Sequence, residues 1–519
     1  MRIIKRVSGW LTVAVFATVG GMVASDPAFA KTDMDKLTMG GEIRIRYEFR
    51  TNTDFVNTAA GKANESAASH RVRVNVGYDL TPDVSFFAQL QDARIWGAEN
   101  NAFPTAGITA VSSANGNGSG VDLHQGYILV KNVLVPGLSL KAGRQELIYG
   151  DHRLLGNFSW SQIGNTFDAV KLMYSTDLVD VDLFWARIFE SEIGAASGAC
   201  GPNCTGVIFP GTGTTATTDQ DLYGAYVTLK MIPYMTIEPY YFLLEDHRLG
   251  VGRAAAVGAA GSLVNPQAAD QARSFLGGRI NGKAGGLDAT LEADWQFGSI
   301  ASGSAGTGNA QDLHVNAHQE AAKIGFTFDA VPMKPRIGFE FDYASGDGCV
   351  NRVGGASCTA QGRFGTADNL FPTNHGKFGY MDLMAWRNMV AYQGVFDVKP
   401  SPVSKLQVNF AIMRLARTTD NWYRAGQVAY VVTGASNQEA SLGQELDVHY
   451  WHTIKEKFKF EIGYGHFFTG AFFTGNPAVN NGSGAIAAVN GTGFGALGTT
   501  SNTQIVDQNW GYVMGSILF

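Results

Sequence analysis

The sequence predicts an all-β fold: a transmembrane antiparallel β-barrel of about 18 strands, with short periplasmic turns and long extracellular loops. Three observations predict it. The chain opens on a secretory leader, period-2 alternation recurs from end to end, and short connections alternate with long ones.

The leader is MRIIKRVSGWLTVAVFATVGGMVASDPAFAK, with Arg2, Lys5 and Arg6 at its start, an apolar run from Leu11 to Ala24 and a small-x-small site at Ala28-Phe29-Ala30. That order of regions reads as a signal peptide over residues 1–30, with 31–519 as a single barrel domain. A membrane anchor helix would need a longer apolar run without glycines. Beyond the leader no apolar stretch is long enough to span a bilayer as a helix, although 45% of residues are hydrophobic. The chain has 64 Gly, 32 Phe and 18 Tyr against 15 Pro, which suits strands joined by turns and long loops.

The net charge is −6; loss of the leader leaves 36 basic and 44 acidic residues, a net of −8. This argues against a nucleic-acid partner.

Alternation is clearest in GEIRIRYEFR, where Ile43, Ile45, Tyr47 and Phe49 share one face and Glu42, Arg44, Arg46, Glu48 and Arg50 the other. In HRVRVNVGYDL, Val72, Val74, Val76 and Tyr78 oppose Arg71, Arg73 and Asn75. GLDATLEADWQFG, KPRIGFEFDYASG, SKLQVNFAIM, GQELDVHYW and KFKFEIGYGHFF repeat the pattern. Expected strand centres fall near residues 44, 75, 87, 126, 141, 170, 184, 225, 240, 277, 292, 324, 339, 392, 409, 447, 462 and 514. Segments of roughly ten residues are the length at which a tilted strand crosses a membrane.

Short connections such as DLTPD, YSTDL, MIPYM and GKAGG follow every second strand. Between them lie long Gly/Ser/Ala/Asn-rich stretches at 97–120, 191–218, 248–270, 299–317, 346–384 and 469–505. The last segment, NWGYVMGSILF, is an amphipathic strand closing on Phe519. In lipid only a closed sheet pairs every strand N–H and C=O, so these features point to the bacterial outer membrane and to outer-membrane lipid as a partner.

If the apolar face meets lipid, the charged face lines the lumen. Arg44, Arg46, Arg71, Arg73, Arg144, Lys171 and Arg336 are basic candidates, with Glu340, Asp342, Glu445 and Asp447 among the carboxylates. Adjacent strands would bring Arg44 and Arg46 beside Arg71 and Arg73 as an electropositive wall favouring polyanions; the alternative is that lumen charges pair and only stiffen the barrel.

The chain has no Ser nucleophile elbow, HExxH or P-loop, so the expectation is a channel and not an enzyme, with no cofactor. A barrel-anchored enzyme or adhesin is the rival class. His152, His247, His375 and His466 near strand ends read as girdle or turn residues. The cysteines form two local pairs, Cys200 with Cys204 and Cys349 with Cys358, which in an exported chain default to small loop-closing disulfides. A four-thiolate zinc site would need both pairs to meet.

One stretch breaks the alternation: GRQELIYGDHRLLGNFSWSQIGNTFDAVKL. It resembles the signature of the alginate-export family of bacterial outer-membrane porins in Gly143-Arg144-Gln145-Glu146, Tyr149-Gly150-Asp151, Arg153-Leu154, Gly156, Trp160 and Phe167-Asp168-Ala169. EIRIRYEFR, VDLHQGYILV, QELDVHYW and EIGYGHFF are similar to the family pattern in the same order. The resemblance implies an 18-stranded barrel passing an anionic polysaccharide, alginate-like, through an arginine-rich constriction. Periplasmic export partners would then supply it. Carried over by position, Arg144 and Arg153 are the basic groups and Asp151 their acidic neighbour. Asn165 stands where the family commonly has Arg, which leaves small anionic solutes, or general diffusion of hydrophilic solutes, as alternatives. Folded inward, the segment would narrow the pore with Arg144, Asp151 and Arg153.

Overall fold

The computed structural model describes residues 34–97 except 54, 59, 60 and 63, then 121–189, 219–247, 271–302, 311–348, 362–474 except 428 and 433–438, 486–488 and 504–519. Residues 1–30, the expected leader, and all four cysteines, Cys200, Cys204, Cys349 and Cys358, lie outside these residues. Residues 1–37 and 38–519 form separate units; in the first, the described part is a 3-10 turn at Met34–Lys36 followed by Leu37.

The wall is a closed antiparallel barrel of 18 strands. They are β1 (Leu37–Thr51), β2 (Asn64–Asp79), β3 (Val84–Ile95), β4 (Asp122–Val130), β5 (Leu138–Gln145) and β6 (Phe167–Ser175). Next come β7 (Val179–Phe189), β8 (Gln220–Leu229), β9 (Met235–Asp246), β10 (Gln271–Ala284), β11 (Leu287–Ser302) and β12 (Gln311–Thr327). The last are β13 (Arg336–Ala344), β14 (Met389–Ser401), β15 (Ser404–Leu415), β16 (Ser441–Ile454), β17 (Phe458–Thr469) and β18 (Gln508–Leu518). Every strand centre read from the sequence falls inside one of them. The ring closes where β1 pairs with β18, from Glu42 opposite Leu518 to Thr51 opposite Asn509, so the sheet leaves no open edge to lipid.

The wall is inverted relative to a soluble sheet. On β1 the apolar Ile45 is 46% exposed while its charged neighbour Arg46 is fully enclosed. The same holds around the ring, where Leu276, Leu291, Ile324 and Ile337 face outward. Such a belt belongs in a bilayer. Short turns join alternate strand pairs: between β10 and β11 the connection is Gly285-Gly286, and the positive φ of 57° at Gly285 is one that glycine takes at no steric cost.

Among the described residues two connections run far into the lumen, and Phe55, Trp422, Phe472 and Phe473 of other connections join the same core. Residues 146–166, between β5 and β6, and the described part of 345–388, between β13 and β14, enter the lumen. Their apolar side chains form a core with the inward wall: Leu147, Leu154, Leu155, Phe378, Leu383 and Trp386 pack with Phe242 and Phe275. The expectation of a long external loop over 346–384 is therefore corrected for its second half. Residues 362–384 are rich in apolar side chains, and these are buried inside the ring.

Candidate functional site

The first inserted segment begins where β5 ends. Gly143, with φ of 123°, is still paired within β5, and beyond the strand Gly150, with φ of 53°, turns the chain. A β-carbon at Gly150 would stand 3.0 Å from Arg279 Cδ, a contact tighter than ordinary packing. Tyr149 stacks on Tyr226 at 4.7 Å and Phe184 at 5.6 Å and donates its hydroxyl to Asp182 at 3.0 Å. Asp151 accepts from Arg279 of β10 at 2.7 Å and Lys323 of β12 at 3.1 Å. Arg153 pairs with Glu340 and, at 2.8 Å, with Asp342, both on β13.

The far end of this segment meets a comb of arginines. Arg44 donates to the Ser159 carbonyl at 2.8 Å, Arg46 to that of Trp160 at 2.7 Å, Arg71 to that of Ser161 at 2.9 Å and Arg73 to that of Ile163 at 3.0 Å. Arg44 and Arg46 stand on β1, and β10 lies opposite β1 in an 18-strand ring. The segment thus crosses the full width of the lumen.

The second segment lies along the first. Leu155 and Phe371 form a parallel bridge, Gly156 donates to Phe371 O at 2.9 Å, and Thr373 donates to His152 O at 2.8 Å. Wall side chains again take its backbone. Arg50 donates to Met381 O at 2.8 Å, Arg273 to Thr366 O at 3.1 Å and Gln296 to Asp368 O at 2.8 Å, while Glu445 accepts from the Met381 N–H at 2.9 Å. The logic is common to both segments. Irregular backbone inside a barrel must find partners for its peptide groups, and here the polar wall supplies them.

Among the described residues, two chambers stand open beside the segments. One, of 510 Å³, is lined by Tyr149, Asp180, Asp182, Tyr226, Glu238 and Arg279. The other, of 340 Å³, is lined by Asp151, Lys323, Arg336, Glu340, Asp397 and Lys405, among others. In the second, two lysines are more open than their partners: the Lys323 and Lys405 side chains are 30% and 39% exposed, against 11% and 12% for Glu340 and Asp397. Of the paired carboxylates only Asp288, bonded to Arg336 at 2.6 Å, is comparably open.

The structure brings together Asp151 and Arg153 with Lys323 and Glu340, and separately Arg44, Arg46, Arg71 and Arg73. The four arginines do not form a bare electropositive wall, because the segment carbonyls, Glu42, Glu48 and Gln91 occupy their guanidinium groups. Lys171 faces inward and pairs with Asp182 at 3.0 Å; Arg336 faces inward between Asp288 and Asp397. Arg144 corrects the expectation of a pore-lining group. It shares its face of β5 with Ala142, whose partner Ile128 is exposed to the outside, and it pairs with the exposed Asp168 at 3.3 Å. Strand alternation puts Gln145 inside, and Arg144 out. Lys377, on the second segment, was absent from the expected set. The signal for it was the apolar and aromatic density of HGKFGYMDLMAW within a supposed external loop.

Electrostatics differ among the inserted groups. Burial alone would raise the Asp151 carboxyl, but Lys323, Lys377, Arg279 and Arg153 outweigh it and hold it well below the usual carboxylate range. Burial alone would weaken the hold of Arg153 on its proton; Asp342 and Glu340 reverse that and tighten it. Burial, reinforced by Lys323 and Arg153, pushes the Lys377 ammonium down to about 8.

The family model described as alginate export matches residues 35–483. The chain belongs to the alginate export family. Membership in the alginate export family, with a barrel of this kind, makes it a bacterial outer-membrane protein and a channel. Solved structures with similar folds include Pseudomonas aeruginosa OccK11 (OpdR), 10% identical with a TM-score of 0.48 over 93% of this chain and 97% of that one. The outer membrane protein OprD from Pseudomonas aeruginosa is 11% identical with a TM-score of 0.48, covering 96% and 98%. Acinetobacter baumannii OccAB4 is 9% identical with a TM-score of 0.49, covering 94% and 100%. No curated protein matches the chain.

Proposed function

We propose that this outer-membrane channel passes anionic hydrophilic solutes, either a polysaccharide of the alginate type or smaller anions, down a gradient and without covalent chemistry. One observation supports the reading: in the 340 Å³ chamber the Lys323 and Lys405 side chains are more exposed than their partners Glu340 and Asp397, while Arg336 stands beside the comparably open Asp288. At those two pairs a passing anion meets the lysine before the carboxylate. Low-dielectric walls strengthen that preference over what the same charges achieve in bulk water.

The size of the chambers bears on the solute. Both fall in the range of small-molecule sites, about 300–1,000 Å³. Single saccharide units or small organic anions suit them. A second reading, general diffusion of hydrophilic solutes, draws support from the 510 Å³ chamber, whose charged lining is Asp180, Asp182 and Glu238 against Arg279. Periplasmic export partners belong to the polysaccharide version only.

The reversal potential of the purified protein in planar bilayers under a salt gradient separates the readings. Anion selectivity that shrinks in a K323Q/R336Q/K405Q variant is the expected result. Equal permeation of anion and cation by the unaltered channel favours general diffusion instead.

A further inference from the structure

The short-turn end of the barrel, periplasmic in a barrel of this kind, holds a third chamber, of 320 Å³, beside the connection 80–83 between β2 and β3. Neither inserted segment lines it. On β2 the face that carries Arg71 and Arg73 continues through Asn75 and Gly77 to Asp79, and in register these meet Gln89, Phe87 and Ser85 of β3. Phe87 is paired in turn with Tyr127 of β4. Their neighbours Phe86 and Ile128 are exposed on the outer face, so alternation turns Phe87 and Tyr127 inward. The two rings stack with centroids 5.3 Å apart and planes at 28°, and Lys141 Nζ of β5 stands 3.8 Å from the centre of the Tyr127 ring. These contacts fix the aromatic pair as one surface.

Beside the rings the wall is bare. A β-carbon at Gly77 would touch Phe87 Cδ2 and Thr38 Cβ, each at 3.8 Å, and the room a larger side chain would take is left to the chamber. Polar groups surround that room. Gln125 donates to Gln89 Oε1 at 3.3 Å and Gln89 donates to Asn75 Oδ1 at 2.7 Å, a relay that leaves the Asn75 amide NH2 as its donating end. Thr38, Ser85 and Asp79 add two hydroxyls and a carboxylate to the lining. Asp79 is the one charged residue among the lining residues, and it is an acid.

We infer that this chamber binds the ring of an uncharged saccharide. A sugar ring has a C–H face that packs on an aromatic ring by dispersion, and hydroxyls around its edge that need both donors and acceptors. The Phe87–Tyr127 pair meets the first need, and Asn75, Thr38, Ser85 and Asp79 meet the second. A wholly apolar ligand would strip water from those polar groups and give them no partner, and a sugar bearing a carboxylate would approach Asp79 as a like charge. The ligand class differs from that of the 340 Å³ chamber, so the inference does not depend on anion selectivity.

The test titrates the full-length channel in phosphatidylcholine nanodiscs by saturation-transfer difference NMR, with maltose as the probe and galacturonate as its charged counterpart. The expected result is that maltose binds the unaltered channel, that F87L, which keeps the bulk but not the ring, weakens it roughly three- to tenfold, and that F87W keeps it. N75L weakens maltose in the same sense and decides if F87L fails to insert. Galacturonate titrates alike in the unaltered channel and F87L. Absence of maltose binding to the unaltered channel, or equal affinity in the unaltered and altered channels, overturns the site. A loss of galacturonate in F87L as large as that of maltose overturns the preference for an uncharged ring. The reversal potential tests the anion reading separately: an unselective channel that binds maltose sinks that reading alone, and a selective one that ignores maltose sinks this inference alone.

Discussion

The Trp160 ring lies 4.0 Å from the Arg46 guanidinium, and the Trp160 carbonyl accepts from Arg46 Nη1 at 2.7 Å. One wall side chain grips both the ring and the backbone of the segment that crosses the lumen. The ring is also stacked on His375 of the second segment at 4.0 Å, so it ties wall, first segment and second segment together. A W160A change keeps the carbonyl contact and removes a cation–π contact worth about 0.5–2 kcal/mol and an aromatic contact worth about 0.5–1.5 kcal/mol. The expected outcome is higher single-channel conductance with more open-state noise, while the barrel itself resists detergent unfolding as before. Unchanged conductance and noise would show that the grip does not restrain the segment.

Arg153 is buried against Glu340 and Asp342, with the Phe378 and Trp386 rings each 5.3 Å from the guanidinium. Removing one partner from such a site costs about 3–5 kcal/mol, because the others stay buried without compensation. R153A should therefore free the first segment and make it cleavable by added protease. R153M combined with E340Q and D342N should restore much of the protection. Equal cleavage of the two variants argues that shape, not charge, holds the segment.

The wall of this protein was legible because period-2 alternation writes each strand's two faces directly into the sequence, as in Ile43 to Arg50. The lumen was legible only in part. Asp151 and Arg153 stood out by breaking that alternation. By contrast, Arg50 finds Met381 across 331 residues, and nothing local to either position announces the other. The arginine comb shows the same limit: Arg71 and Arg73 look like free charges until the carbonyls of Ser161 and Ile163 are placed against them. Strict alternation in LSLKAGRQ puts Lys141 and Gln145 on one face and Arg144 on the other, so charge alone does not tell which face meets the lumen.

Acid should not release the crossing segment. An Asp whose carboxyl is held below its ordinary value contributes stability that is present above the unfolded value, about 3.9, and lost only as pH falls through the lower folded one. Asp151, with Lys323 and Arg279 bonded to it, is of this kind. Conductance recorded between pH 7 and pH 4 should therefore show no opening step that depends on Asp151, whereas D151N should raise conductance already at pH 7. An opening step near pH 4 that disappears in D151N would contradict the pairing.

Arg144 provides the control for lumen electrostatics. Its pair with Asp168 lies on the outer face of the wall, and exposed pairs of this sort contribute about 0–1 kcal/mol. Across the wall, any influence on a solute is weakened further by ionic screening, with a Debye length near 10 Å at 0.1 M salt. R144Q should consequently leave the reversal potential where it was, under conditions in which K323Q moves it toward zero. The two substitutions remove the same charge, so only the face of the strand separates them. A shift in R144Q as large as that in K323Q would place Arg144 inside the lumen and overturn the register read from Ala142 and Ile128.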